Sequence, residues 1–134
     1  TGNRQWRYPL SPTGLSDGHA RWWYELGVAT PGVLLVVERH PRTPDALHAV
    51  DAASGDRRWR VTPPDGADVF SDVTLVDGDA YVCAGGDDRA ELLRLDVADG
   101  TQTGAWPLPG YGSGPVVTDG RVVVQTEAEL LAFS

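Results

Sequence analysis

Four groups of residues in this chain have types that could do chemistry: one cysteine, three histidines, an acidic stretch and an aromatic cluster beside an arginine. Cys83 is the single cysteine, so an intramolecular disulfide and a cysteine-built zinc site are excluded. It lies within an apolar run, which predicts a buried, inert thiol. His19, His40 and His48 share no ligand spacing, so no metal site is expected from them. His48 occupies a position that Leu93 and Leu131 fill elsewhere, which predicts packing. The acidic residues Asp65, Asp68, Asp72, Asp77, Asp79, Asp87, Asp88 and Glu91 are spread over two turns and a strand. No Asp-x-Asp-x-Asp-Gly loop gathers them for calcium, so they read as a solvated rim that discourages edge pairing. Gly112-Ser113-Gly114-Pro115 is not a nucleophile elbow, and no phosphate-cradling loop opens a helix. These patterns lead to the expectation of no catalytic residues, no metal, no cofactor and no enzyme activity.

Arg21, Trp22, Trp23 and Tyr24 are different. Three aromatics beside an arginine are the residues of which binding surfaces are made. They lie in the longest of three comparable spacers: 26 residues from Trp6 to Gly32, against 19 from Trp59 to Gly78 and 14 from Trp106 to Gly120. Insertions in repeats often lie on the binding face, so these four are the candidate binding residues.

The elements that must position them repeat along the chain. Leu47-His48-Ala49-Val50-Asp51 leads to Gly55 and Trp59; Leu92-Leu93-Arg94-Leu95-Asp96 leads to Gly100 and Trp106. Both the Asp and the Gly recur after 45 residues. Leu130 to Ser134 starts a third copy, and Thr1-Gly2-Asn3-Arg4-Gln5-Trp6 matches Ser54 to Trp59 in spacing. Upstream of each copy, Pro31-Gly32, Asp77-Gly78 and Asp119-Gly120 are tight-turn dipeptides. A Val-rich run follows each of these turns, which marks β-strands. Each repeat reads as four antiparallel strands: two joined at the turn glycine, a third running into Asp51, Asp96 or Ser134, and a fourth carrying Trp59, Trp106 or Trp6. No segment holds a helical period.

Four strands in about 40–45 residues is the signature of a β-propeller blade. The chain is thus expected to be all-β, with about three blades' worth of strands. Residues 1–10 would be a fourth strand, 11–62 and 63–108 two blades, and 109–134 three strands of another. Propellers close with roughly 4–8 blades, so the ring would be completed by the rest of a longer chain or by a second copy. The absence of an initiator Met and the start in mid-motif favour the longer chain.

The motif Ala-x-Asp-x-x-(Ser/Thr)-Gly-x-x-x-Trp, standing at Ala49 to Trp59 and in looser form at Arg94 to Trp106, resembles the repeat of the pyrroloquinoline-quinone-type propellers. The resemblance implies that the Trp of one blade packs between neighbouring blades. Structural roles are therefore expected for Trp6, Asp51, Gly55, Trp59, Asp96, Gly100 and Trp106. Similar families include sensor regions of bacterial receptor serine/threonine kinases and envelope assembly lipoproteins. That implies a non-catalytic, extracytoplasmic module for protein or ligand binding. The alternative is a piece of a quinoprotein dehydrogenase, for which the family implies calcium, an Asp base and often a vicinal disulfide.

Composition bounds the partners. The formal net charge is −8 and hydrophobic residues make up 41% of the chain. The first disfavours nucleic acid and anionic lipid as partners; the second is enough for a core. The longest apolar run, Gly32 to Val37, is too short to cross a bilayer.

Overall fold

The structure is a computed structural model that describes residues 3–8, 23–39 and 43–134, with backbone only for 23–30. Among these, the fold is all-β and antiparallel, in three successive sheets. The first sheet contains β1 (Trp23–Thr30), β2 (Val33–Arg39), β3 (Ala46–Asp51) and β4 (Arg57–Val61), paired in chain order. The second contains β5 (Val69–Phe70), β6 (Thr74–Val76), β7 (Asp79–Gly85), β8 (Ala90–Asp96) and β9 (Gln102–Pro107). Its first strand is interrupted, because β5 and β6 both pair with β7, at opposite ends of it. The third sheet contains β10 (Val116–Thr118), β11 (Arg121–Gln125) and β12 (Leu130–Phe133). The first strands adjoin, β1 against β6 and β6 against β10, as blades of a propeller stack around an axis.

Turn chemistry sets the register. At Asp119-Gly120 both residues have positive φ, 50° and 72°, the conformation a tight hairpin requires and Gly adopts at least cost. Pro31-Gly32 joins β1 to β2 with Thr30 opposite Val33. With register set, alternation decides which blade each residue faces. On β7 and β8, Ala80, Val82, Ala84, Leu93 and Leu95 pack with Val33, Leu35, Leu47 and Trp59 of the first sheet. Cys83 and Leu92, from the opposite face, pack with Val122 and Val124 of the third. The middle blade is buried on both faces, which explains its nearly continuous apolar strands.

Antiparallel order puts the connections at two edges. One edge carries the β1–β2, β3–β4, β6–β7, β8–β9 and β10–β11 turns. The other carries the passages between blades and residues 86–89 and 126–129.

Candidate functional site

At the first edge, each β3–β4-type turn is built by its aspartate. Asp51 Oδ1 accepts the backbone N–H of Ala53 at 2.9 Å, and Asp96 Oδ1 accepts that of Ala98 at 2.9 Å. Hydrogen bonds from Arg58 and from the amides of Ala53 and Ser54 hold the Asp51 carboxyl below its ordinary value. Gly55 and Gly100 close the turns with φ of 77°, and each lies under an indole. A Cβ at Gly55 would be 2.5 Å from Trp6, and one at Gly100 would be 2.8 Å from Trp59. The indole N–H of Trp6 donates to Ala52 O at 2.8 Å, and that of Trp59 to Val97 O at 2.7 Å. The two acceptors hold the same place in the repeat, one residue after the Asp. Trp106 packs on Phe133 at 6.2 Å between ring centroids and under the Arg94 guanidinium at 5.7 Å. This edge joins the blades.

His48 is more than packing. It is buried on β3, and its Nε2 is 2.7 Å from Glu38 Oε1 on β2. Its Nδ1 is 2.8 Å from the hydroxyl of Tyr8. The neutral imidazole satisfies both partners, with Tyr8 donating to Nδ1 and Nε2–H donating to Glu38. Burial pulls the imidazole below its ordinary value, against the raising effect of Glu38. Arg60 Nη2 stands 3.7 Å from the Glu38 carboxylate. This relay fastens residues 3–8 to the first blade.

The opposite edge is open and polar. Arg39, at the end of β2, donates to Asp45 Oδ2 at 2.9 Å and to the Phe70 carbonyl at 2.6 Å. Asp45 Oδ2 also accepts the Phe70 N–H at 2.9 Å, and Asp72 is 3.7 Å from Arg39. Beside them Tyr111 is 46% exposed. Its ring lies so close over Gly85 that no side chain could stand there. Three grooves of about 450, 320 and 310 Å³ adjoin this ring. Arg39, Ser71, Asp72, Ser113, Thr126 and Glu127 are among the residues that line them. Partial burial pushes the Tyr111 phenol above its ordinary value, against the lowering field of Arg39. A fixed aromatic face with hydroxyls and both charge signs around it can stack and hydrogen-bond a ligand.

Arg21 and Trp22 lie outside the described residues, as do His19 and His40. Trp23 and Tyr24 are placed only by backbone, at the start of β1 opposite Arg39 and Glu38. Cys83 is fully buried and its amide donates to Ser71 Oγ; burial pushes the thiol up to about 11. Most of the acidic stretch is on the rim, but Glu91 is buried and pairs with Arg89. No three of His, Cys, Asp and Glu converge among the described residues. Sequence reasoning missed Tyr111 and Arg39. The available signal was an aromatic flanked by glycines, Gly110-Tyr111-Gly112, in a passage between blades, where binding residues concentrate.

Known proteins match this chain in two ways. A family model described as outer membrane protein assembly factor BamB matches residues 1–109. A solved europium-containing methanol dehydrogenase matches with a TM-score of 0.55 at 15% identity, covering 90% of this chain and 25% of that one. The chain thus spans a quarter of that enzyme's length. No curated protein matches the sequence. The likeness to a dehydrogenase overturns the expectation that the chain is not an enzyme. It shares the fold of about a quarter of that enzyme's chain, so the lack of a nucleophile pattern in these residues excludes nothing about catalysis.

Proposed function

The chain belongs to the propeller-repeat family whose model is described as outer membrane protein assembly factor BamB, and from that premise we propose that it is a blade segment that binds a protein partner across the edge at Tyr111. The observation that carries this reading is the Tyr111 ring, fixed on Gly85 and adjoining three grooves. The parent would be an extracytoplasmic bacterial protein, such as a receptor serine/threonine kinase or an envelope lipoprotein. The family's description supports the envelope. No helix among the described residues is long and apolar enough to cross a membrane. Arg21, Trp22, Trp23 and Tyr24 extend the contact surface in this proposal.

The test is a titration of the chain with synthetic peptides that alternate apolar and polar residues, the pattern of outer-membrane strands. Amide NMR shifts should concentrate at residues 109–114 and 125–128, and Tyr111→Ala should abolish them. Replacing Trp22 and Trp23 with Ser should weaken binding and leave stability nearly unchanged. Shifts that bypass these loops would overturn the reading.

A second reading, part of a quinone-dependent dehydrogenase, is favoured by the methanol dehydrogenase likeness. A quinone with its metal ion needs several oxygen ligands converging on one point, and no three of His, Cys, Asp and Glu converge among the described residues. At this edge Asp45 and Asp72 face Arg39, and Glu91 pairs with Arg89. The described residues do not fit that group. If the reading holds, the ligands come from elsewhere in the ring, and adding quinone and calcium to this chain alone gives no change in absorbance.

A further inference from the structure

We propose that the partner segment docks by laying a cationic side chain, best an arginine, on the Tyr111 ring, with its charge met by the carboxylates of Asp72 and Glu127. The inference rests on the reading of the Tyr111 edge as a contact surface and names the chemistry that this surface selects.

The ring is a fixed, exposed platform. Tyr111 keeps 46% of its surface open although it is seated over Gly85. The backbone beside it is packed so closely that a Cβ at Gly112 would be 2.5 Å from Val124. A partner therefore meets a ring that needs no ordering, which lowers the cost of contact. The groove that Tyr111 shares with Arg39, Ser71, Asp72, Ser113 and Gly114 is bounded by residues of the first, second and third blades.

Charge decides what can lie on the ring. Among the residues that line the three grooves, the charged ones are Arg39, Asp72 and Glu127. The Arg39 side chain is 16% exposed and is engaged with Asp45 Oδ2 and the Phe70 carbonyl. The Asp72 side chain is 83% exposed and, at 3.7 Å from Arg39, makes no hydrogen bond to it. Glu127 is exposed as well. The arginine is thus turned inward to its own carboxylate, and the grooves present negative charge beside an aromatic face. Asp65, Asp68, Asp87 and Asp88, all exposed, extend that sign along the same edge, where Arg89 pairs with Glu91. Such a field draws in cations and repels acidic segments.

A guanidinium suits this place better than an ammonium, because it is planar, stacks on an aromatic face and forks onto a carboxylate. The chain makes the same stacking contact within itself, where the Arg94 guanidinium lies 5.7 Å from the Trp106 ring centroid. Ser113, exposed in the same groove as Asp72, offers a hydroxyl oxygen to the remaining N–H groups.

The test titrates the whole chain with a pair of synthetic peptides of alternating apolar and polar residues, identical except for a central arginine in one and its uncharged isostere citrulline in the other. The arginine peptide should bind about tenfold tighter at low salt, and its advantage should shrink as salt is raised. Asp72→Asn and Glu127→Gln should each weaken the arginine peptide several-fold and leave the citrulline peptide unchanged, a contrast that a general loss of folding does not produce. Tyr111→Phe should keep the preference and Tyr111→Leu should remove it. If both peptides shift the amides of residues 109–114 with equal affinity, this inference falls and the contact surface stands. If neither peptide shifts them, both fall. A preference for arginine that survives Asp72→Asn and Glu127→Gln together also overturns the proposal.

Discussion

The indole N–H of Trp59 donates to the carbonyl of Val97 at 2.7 Å, across the gap between two blades. The residues are 38 apart in sequence, and the same device joins Trp6 to Ala52. One ring thereby does two things: it fills the space between sheets, and it satisfies a turn carbonyl that would otherwise be buried without a partner.

Trp59→Ala should destabilise the chain by about 3–5 kcal/mol, the usual cost of removing a large buried aromatic. Trp59→Phe should lose less, keeping most of the packing while leaving Val97 O unpaired. Urea unfolding followed by circular dichroism separates the two. A Trp59→Ala loss within error would remove this residue from its role between blades.

Gly100→Ala should destabilise by about 1–3 kcal/mol, through overpacking and a φ that side chains rarely adopt. The residue is buried beneath Trp59 with φ of 77°. Gly120→Ala tests the conformational part alone, because a Cβ there meets nothing. It should cost less in the same melt.

Stability should fall on acidification through His48. Its folded value lies below the ordinary 6.5, chiefly because of burial. The unfolded chain therefore binds the proton more readily, and unfolding takes it up. The contribution of His48 is complete above pH 6.5 and is lost as pH drops through the lower folded value. Thermal melts from pH 7.5 to 5 should show this fall, and His48→Gln, though less stable at neutral pH, should show a shallower one. An unchanged slope in the variant would assign the acid sensitivity to other groups.

Cys83 should resist alkylation in the native state. Its thiol is fully buried and held at about 11, so almost no accessible thiolate exists at pH 8. Iodoacetamide should label it only in step with unfolding in urea. Rapid labelling of the folded chain would show that the gap between the second and third blades opens.

The strands, their order and the blade pattern were legible in the sequence because their causes are local. Asp119-Gly120 dictates its own turn, the apolar run from Ala80 to Ala84 marks a strand buried on both faces, and Asp51 and Gly55 shape a loop within five residues. The repeat then carried the same elements along the chain, and the once-per-repeat Trp pointed to the gap between blades. The open edge is another matter. Tyr111, Arg39, Asp45 and Phe70 come from three separate passages, and only the stacking of the blades brings them together. Neither spacing nor composition predicts that Gly85 leaves room for the Tyr111 ring. His48 shows the same limit. Its repeat position promised an apolar packer, yet Glu38 and Tyr8 turn it into the centre of a buried polar relay. A strand's period says which way a side chain faces, but what it meets there is decided by the next strand and the next blade, and that is a property of the tertiary structure.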